Sequence, residues 1–581
     1  MPDVNPYEPS VMNISGLNLK TLECKDTYLP DLTYIRGGST LTIDASKVRD
    51  NMVDGQFYEC RYLNILPNET NDNSFIYSDW SEAFTDTLEL PANAQFINVL
   101  CLVNNSEVVS NTFFCLVPRK EQFEEWDHTN LKKRQVMWEP KETLSIIMIG
   151  MDTLGRHQLL RGCNKTYSYL MNTLKSFDLT MHSQLGENTF PNFLPLFAGQ
   201  SHDEVIKWWS DEDHMDSLDL IWHTFDQSGY PTLYTEDMPY IGAFHYLKKG
   251  FQRPFARYNS RPFTLAMERD PDIWKYYCHC AGNQLEMNVH LDYVLRFLET
   301  FPHKPVFAVA MLTKPAHDFP MDVKMFDDHL LNFYESLKDK GYLNRSLIVS
   351  FSDHGVRWGP LRESVNGIYE SRSPYTILTF PDWFLKKYPD VAANLQANTK
   401  RLTTHFDTHA TLLDLLYFKS HTTPLAPPRH GISLFREIPS NRTCKDASIP
   451  KEFCLCGYRS LGDVNVTSNL SNTLITLVLE TINSKTDKNI CAVFKLYQVV
   501  RILKIALNED STKGERNTIV YKVTLEVSPG HGVFEANVYA IGNSSQWEVG
   551  NSIARLNIYK GQADCVDIAD VRPFCFCNNL L

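Results

Sequence analysis

Three continuous apolar runs lie in the middle of the chain, at residues 144–150, 305–311 and 346–351. Runs of this kind are typical of strands that are buried on both faces of a parallel sheet. Between the last two runs, apolar residues recur with helical spacing, at Phe326, Leu330, Phe333 and Leu337. Because strand, helix, strand is the order of a βαβ unit, we predict an α/β catalytic domain with a mostly parallel sheet over residues 141–440.

The chain on either side of this core has a different pattern. Residues 1–140 contain short alternating runs, such as 56–60 and 113–117, separated by Asn, Asp, Gly and Pro clusters, which predicts a small β-sandwich. Residues 441–581 combine cysteines with mixed patterns and are predicted to form a disulfide-rich α+β domain. In that domain we expect a helix over Phe494–Leu507, a strand at residues 519–527, and a second strand near Phe534–Ala540.

Charge and cysteine content narrow the function classes. The formal net charge of −13 argues against nucleic-acid recognition by the protein surface, but it does not exclude an anionic substrate, because a bound metal can dominate the local field. The 14 cysteines include no CxxC pair of the kind that zinc fingers use. Four lie in the N-terminal region and could form two bridges, at Cys24, Cys60, Cys101 and Cys115. The middle region has three and the tail seven, and these odd numbers favour a bridge between the two.

Many cysteines together with many glycosylation sequons favour the secretory pathway. The sequons begin at Asn13, Asn68, Asn104, Asn164, Asn344, Asn441, Asn465, Asn469 and Asn543. The first residues lack the apolar stretch of a signal peptide, and no run of about 18 apolar residues occurs, so we expect a leader or membrane anchor to lie outside this sequence. A secreted protein, or one on the extracellular face of the plasma membrane, is therefore predicted. No pattern indicates an oligomeric state.

Polar residues follow two of the apolar runs, where ligands bind in open α/β sheets. Asp152 comes just after the first run, although an ordinary helix cap would also use Asp. Asp353 and His354, within Ser352-Asp353-His354-Gly355, follow the third run and offer one oxygen and one nitrogen ligand, which suits zinc or manganese. The alternative for this tetrapeptide is a turn with a capping Asp. We favour a metal site.

A hydroxyl in Asn188-Thr189-Phe190-Pro191-Asn192-Phe193 is a candidate nucleophile. A metal that lowers the pKa of the Thr189 hydroxyl would activate it, and the N-terminus of a helix there would attract an anion. An ordinary N-cap followed by Pro191 in the first turn would explain the same pattern.

Together these motifs resemble the alkaline phosphatase and sulfatase superfamily. The Thr-Phe-Pro-Asn string resembles the nucleophile segment of nucleotide pyrophosphatase/phosphodiesterases, and Ser-Asp-His-Gly resembles the metal motif of the superfamily. The chain is most similar to a family of invertebrate extracellular, sulfatase-like proteins named for a domain of unknown function, number 229. The segments that carry this resemblance are 152–156, 188–192, 352–357, 401–407 and 431–435, with the C-x-C pairs of the tail.

The resemblance implies an alkaline phosphatase-like core and a role for each matching residue. Asp152, Asp353 and His354 would bind one divalent metal, with Thr189 as both a ligand and the nucleophile. The metal would be zinc in preference to manganese, magnesium or calcium. His317 would line the anion pocket or serve the leaving oxygen, although a lone histidine there can also be structural.

A second metal would need about three more ligands, and their spacing matches the two-metal relatives poorly. The less certain candidates are His405 and Asp318. His405 and His409 have the i, i+4 spacing that suits shared ligation on a helix. We therefore favour one metal over two.

Departures from the superfamily narrow the predicted activity. Sulfatases use a cysteine in Cys-x-Pro-x-Arg that becomes formylglycine, and no such motif occurs here. We therefore predict an extracellular metal-dependent hydrolase of phosphomonoesters, phosphodiesters or sulfate esters with a threonine nucleophile. The rivals are a sulfatase without formylglycine, and a retired enzyme that serves as an adhesion or binding protein.

Secretion predicts that most cysteines are paired and that several sequons carry glycans. Peptide mapping of non-reduced protein, collected from the medium of expressing cells, measures both. A majority of free thiols would contradict the extracellular assignment.

Overall fold

The computed structural model describes all of the chain except residues 1–3, 15–18, 25–28, 52–57, 105–106, 272, 274–278, 319, 365, 420–428, 458, 508–517, 541–545 and 569. Cys278 and Asn543 therefore lie outside the described residues, as does the beginning of the alternating run 56–60. Among the described helices, none is both long and apolar enough to cross a membrane.

Two antiparallel sheets form the N-terminal region, as the alternating runs predict. Its elements are α1 (Pro9–Ile14), β1 (Thr33–Arg36), β2 (Thr40–Ile43), α2 (Ala45–Asn51), β3 (Tyr58–Pro67), β4 (Phe75–Tyr77), β5 (Thr87–Glu89), β6 (Phe96–Val103), β7 (Glu107–Cys115) and α3 (Glu124–Trp138). The strand orders are β1-β2-β5 and β4-β3-β6-β7. Leu41 of one sheet and Ile97 of the other bury their side chains in one cluster, which is the packing of a sandwich.

A seven-stranded sheet forms the middle region. Its strands, with one small hairpin, are β8 (Ser145–Met151), β9 (Phe177–Asp178), β10 (Thr232–Glu236), β11 (Tyr258–Asn259), β12 (Cys280–Ala281), β13 (Gln284–Leu285), β14 (Phe307–Leu312), β15 (Ser346–Phe351) and β16 (Thr376–Thr379). The order is β11-β10-β14-β8-β15-β16-β9, and β12 pairs with β13 separately. The first five strands in this order, β11, β10, β14, β8 and β15, are parallel to one another. The strand β16 is antiparallel to both of its neighbours. The predicted α/β core is confirmed.

Helices cover both faces of this sheet. They are α4 (Arg156–Gly162), α5 (Asn164–Ser168), α6 (Thr189–Phe197), α7 (His202–Val205), α8 (Ile221–Gln227), α9 (Arg261–Arg269), α10 (Glu286–Thr300), α11 (Asp327–Asp339), α12 (Pro360–Glu363), α13 (Gly367–Arg372), α14 (Asp382–Lys387), α15 (Pro389–Asn398) and α16 (His405–Leu416). In β8, Ile147 and Ile149 join one buried cluster, whereas Ile146 and Met148 join another. Because successive side chains point to opposite faces, the strand must be apolar throughout.

The tail contains a five-stranded antiparallel sheet covered by one helix. Its elements are β17 (Arg459–Asp463), α17 (Asn469–Ser484), β18 (Lys495–Leu507), β19 (Thr518–Ser528), β20 (Gly532–Ala540) and β21 (Trp547–Arg555). The predicted strands at residues 519–527 and near 534–540 are confirmed as β19 and β20. The predicted helix over Phe494–Leu507 is wrong, because that segment is β18. Two bulges in its pairing with β19 break the two-residue alternation that identifies a strand in a sequence.

The described cysteines form five disulfides, at Cys24–Cys280, Cys60–Cys101, Cys444–Cys454, Cys491–Cys575 and Cys565–Cys577. The expectation of two bridges within the N-terminal region is wrong, since Cys24 pairs with the middle region and Cys115 is a free, buried thiol. The expected bridge between the middle and the tail is also not found among the described residues. The predicted domain boundaries near residues 140 and 440 stay predictions. Across the first of them, Phe96 of β6 and Phe263 of α9 belong to one hydrophobic core.

A buried cluster of charges joins the tail sheet to the middle region. Arg362 of α12 donates to Glu535 of β20 at 2.6 Å, and Lys522 of β19 lies 3.1 Å from the same oxygen. The three side chains are 5%, 11% and 7% exposed. Burial lowers the pKa of Lys522 to about 7. Although burial opposes it, the guanidinium of Arg362 and the ammonium of Lys522 hold the pKa of Glu535 well below its usual range.

Glu535→Gln should destabilise the protein by about 3 kcal/mol, because it removes the carboxylate charge that two buried cations share. Urea unfolding followed by tryptophan fluorescence measures the loss. The matched control is Glu548→Gln on the neighbouring strand β21, where the side chain is exposed and the change should stay within about 0.5 kcal/mol. Equal effects of the two variants would show that the cluster contributes nothing.

Candidate active site

The carboxyl ends of three adjacent strands place the candidate residues at one edge of the sheet. Asp152 follows β8 directly, Asp353 lies two residues beyond the end of β15, and the segment that leads to His317 follows β14. The order β14-β8-β15 puts Asp152 on the central strand of the three. Because these parallel strands have nearly aligned registers, the loops after them lie close together, as expected for a ligand site in an α/β sheet.

Asp152, Asp353 and His354 form one buried cluster of ligand-type groups. One ligand atom from each lies within 4.8 Å of the others. His354 Nε2 is 3.7 Å from Asp152 Oδ1 and 3.2 Å from Asp353 Oδ2. The two aspartates and the histidine are almost completely buried. The structure thus brings together three of the four residues predicted as metal ligands.

The hydrogen bonds around this cluster leave acceptor atoms facing one another. His354 Nδ1 lies 2.8 Å from the carbonyl oxygen of Gly355, which can only accept, so Nδ1 carries the proton and Nε2 does not. Asp353 Oδ2 is buried and has no hydrogen-bond partner among the described residues. Burial lowers the pKa of His354 to about 3. Burial, and then the neighbouring Asp353, raise the pKa of Asp152. A shared cation would satisfy all three groups.

Thr189 is the first residue of α6, and its hydroxyl reaches the cluster. Thr189 Oγ1 lies 3.5 Å from His354 Nε2, and the side chain is half-buried. The N-cap of α6 is Asn188, so an ordinary N-cap role for Thr189 does not apply. The buried amide of Asn192 holds the preceding loop, since its Oδ1 accepts from Leu185 N at 2.7 Å and its Nδ2 donates to Asn188 O at 2.8 Å.

Two unusual backbone positions hold the loops that carry the Asp-Asp-His cluster. Thr153 adopts a positive φ of 61°, its amide donates to Asp353 Oδ1 at 3.1 Å, and its hydroxyl donates to Asp152 Oδ1 at 2.7 Å. A Cβ at Gly355 would lie 1.9 Å from the carbonyl oxygen of Glu370. Glycine is needed at 355 because the backbone of α13 approaches so closely.

Arg357 is a site residue to which the sequence analysis assigned no role. It donates to His317 Nε2 at 2.7 Å and to Asn188 Oδ1 at 2.5 Å, and its guanidinium stacks on Trp358 with 4.4 Å to the ring centroid. His317 Nδ1 lies 2.7 Å from Asp318 Oδ1. The position of Arg357, three residues after His354 at a strand end, was the signal that could have identified it.

His405 and His409 lie on α16, as their spacing suggests, but they have different partners. His405 Nε2 is 2.9 Å from the carbonyl oxygen of Asp353, and its Nδ1 is 3.4 Å from His182. His409 Nδ1 lies 2.9 Å from the carbonyl oxygen of Leu196. Neither belongs to the cluster around Asp152, and Asp318 contacts His317.

A second pair of buried carboxylates lies one strand further along the same edge. Glu236 ends β10, burial raises its pKa to about 7, and it accepts from Ala243 N at 2.8 Å. Asp237 accepts from the amides of Thr313 and Lys314, at 2.6 and 3.2 Å, and so anchors the segment between β14 and His317. The sequence analysis missed both because β10 contains two threonines and no continuous apolar run.

Residues 23–500 match the family described as "Protein of unknown function (DUF229)". This match covers most of the chain. The chain belongs to the DUF229 family. No curated protein matches the sequence of this DUF229 chain.

Several solved structures are similar to this DUF229 protein at low sequence identity. A phosphonate monoester hydrolase from Silicibacter pomeroyi shares 12% identity with a TM-score of 0.39, covering 69% of this chain and 90% of that one. A protein of the alkaline phosphatase superfamily from Vibrio parahaemolyticus shares 10% identity with a TM-score of 0.36, over 75% and 86%. The sulfatase PsFucS1 from Pseudoalteromonas sp. shares 13% identity with a TM-score of 0.36, over 60% and 84%.

Asp152→Asn should stabilise the metal-free protein by about 1 kcal/mol, because it removes one of two adjacent buried carboxylate charges and keeps the oxygen that accepts from Thr153. Thermal unfolding in EDTA measures this gain. Added zinc should stabilise the wild type, by about 2.7 kcal/mol at a hundredfold excess over Kd, and leave D152N unchanged. A D152N protein that zinc stabilises as much as the wild type would exclude Asp152 as a ligand.

Proposed function

We propose that this DUF229 protein is an extracellular, metal-dependent hydrolase of phosphate or sulfate esters with Thr189 as its nucleophile. The observation that carries the proposal is the half-buried Thr189 hydroxyl, 3.5 Å from the unprotonated Nε2 of His354 and beside a buried Asp-Asp-His cluster. A hydroxyl beside bare ligand-type atoms is arranged for nucleophilic attack once a metal is bound there.

The residues present fit one divalent metal. Asp152, Asp353 and His354 supply two carboxylate oxygens and one imidazole nitrogen, and Thr189 adds a hydroxyl, which together suit a four-coordinate zinc ion. When bound, the metal would supply positive charge that lowers the pKa of the Thr189 hydroxyl. Support for one metal over two is that His317, His405 and Asp318 each contact other protein groups.

The half-buried residues around the cluster suggest a course for the reaction. Arg357, whose guanidinium lies between Asn188 and His317, would turn to the anionic oxygens of the substrate. Thr189 Oγ, after giving up its proton to solvent, would attack phosphorus or sulfur as the ester bond to the alcohol breaks. His317, with Nδ1–H held by Asp318, would carry a proton on Nε2 to the departing oxygen. Water would then hydrolyse the covalent threonine ester.

The chain's residues favour phosphate over sulfate. A threonine stands at the nucleophile position, and the sulfatase cysteine motif that yields formylglycine is absent from the sequence. The alternative of a retired enzyme that acts as an adhesion protein is disfavoured, because binding alone gives no reason for Thr189, Asp353 and His354 to converge.

An extracellular location is supported by the five disulfides, since such bonds persist in oxidising compartments. Eight of the sequon asparagines lie among the described residues, and all eight are exposed or half-buried, which supports their availability for glycosylation. We propose three parts, a β-sandwich (1–140), a catalytic domain (141–440) and a cysteine-rich α+β domain (441–581).

Thr189→Ala should lower turnover by several orders of magnitude on any ester that the wild type cleaves, while metal binding weakens and the fold is kept. A panel of aryl phosphate, bis-aryl phosphate and aryl sulfate esters identifies the cleaved bond. Thr189→Ser is the matched control, because it keeps the hydroxyl and should retain measurable turnover. Near-normal activity of T189A would exclude Thr189 as the nucleophile.

A further inference from the structure

A chain of buried polar side chains lies behind the candidate metal site and reaches it through a backbone carbonyl. His405 Nε2 lies 2.9 Å from the carbonyl oxygen of Asp353. His405 Nδ1 lies 3.4 Å from His182 Nε2, and His182 Nδ1 lies 3.0 Å from the hydroxyl of Thr403. His182, Thr403 and His405 are all at most 1% exposed. No bulk water competes for these hydrogen bonds.

The carbonyl oxygen fixes the direction of every hydrogen bond in this chain. A carbonyl only accepts, so His405 carries its proton on Nε2 and donates to Asp353. His405 Nδ1 must then accept, which requires the proton of His182 on Nε2. His182 Nδ1 in turn accepts from the Thr403 hydroxyl. One tautomer of each imidazole satisfies the whole chain.

The same chain connects the segments that carry the nucleophile and the metal ligands. His182 lies in the loop that leads to Thr189, and its backbone is bridged to that of Thr403. Ser183 N donates to Thr403 O at 2.9 Å. His405 begins α16 and contacts the loop of Asp353. A displacement of either histidine would therefore move a ligand or the nucleophile.

The start of α16 is itself held rigidly. Asp407 accepts from Thr404 N at 2.8 Å and from both terminal nitrogens of Arg442, at 2.8 and 3.0 Å. Arg442 also donates to the carbonyl of Leu402 at 3.0 Å. These buried bonds place His405 on a fixed support. An anchored support is what a positioning residue needs.

We infer that His405 positions Asp353 for metal binding by holding the Asp353 carbonyl, and that His182 selects the tautomer in which His405 can do so. This inference rests on the proposed function, because it assigns a role toward the proposed metal site. This role replaces direct metal ligation by His405, because the Nε2 proton of His405 points at the carbonyl oxygen of Asp353. His405 is a positioning residue and touches no reacting atom.

The test compares zinc affinity, measured by equilibrium dialysis, in the full-length protein and its variants. His405→Phe fills the space but removes both nitrogens, and should weaken zinc binding about 10- to 100-fold. His405→Gln keeps an N–H donor near the Nε2 position and should bind within about fivefold of the wild type. Thermal unfolding in EDTA shows that each variant is folded.

His409→Phe is the matched control, because His409 is buried in the same helix and also bonds a backbone carbonyl, that of Leu196. It should change stability and leave zinc affinity unchanged. His182→Phe should weaken zinc binding, and the His182→Phe, His405→Phe double variant should lose no more than His405→Phe alone, because the two histidines act in series.

The outcomes separate this inference from the proposed function. If the wild type binds zinc and folded His405→Phe binds it equally well, the positioning role is wrong. If His405→Gln loses as much affinity as His405→Phe, and X-ray absorption of the wild-type zinc protein counts two imidazole ligands, His405 is a ligand and the inference fails. A wild type that binds no divalent metal overturns the proposed function, and this role with it.

Discussion

The mutual approach of three electron-rich groups, on Asp152, Asp353 and His354, is the constraint that governs this end of the molecule. An unprotonated imidazole nitrogen lies 3.2 Å from one carboxylate oxygen and 3.7 Å from another, in a space almost closed to solvent. Such an arrangement is costly without a compensating charge. The surrounding protein must therefore hold it in place, and many of the remaining contacts at this edge serve that purpose.

That support comes from regions far apart in the chain. The positive φ of Thr153 brings its amide to Asp353, and the backbone of α13 packs against Gly355 too closely for any side chain there. The loop after His354 is held from two more sides. Val11 of α1 shares a buried cluster with Val356. The Gly359 amide donates to the tail at Leu556 O, 3.0 Å away.

The sequence predicted the parts of this arrangement that depend on local pattern. β8 and β15 are buried on both faces, so their continuous apolar runs predicted both strands. The residues after them were named as candidate ligands from their position, their type and the resemblance to the superfamily. The strand β10 was not predicted because its two threonines interrupt the apolar run that is typical of a buried strand. The strand β18 was predicted as a helix because bulges break the alternation of its apolar and polar residues. The Arg357–His317 contact and the partner of Cys24 are tertiary facts, which no local pattern encodes.

The Cys24–Cys280 bridge ties together residues 256 positions apart. In the proposed extracellular setting, Cys24 would enter an oxidising compartment long before Cys280 is synthesised, and Cys60, Cys101 and Cys115 would all follow it much sooner. During that interval the Cys24 thiol can form a disulfide with Cys60, Cys101 or Cys115 instead of Cys280. Maturation in that setting would depend on thiol–disulfide exchange, and a cell that lacks an efficient isomerase would accumulate wrongly bridged forms of a correct amino-acid sequence.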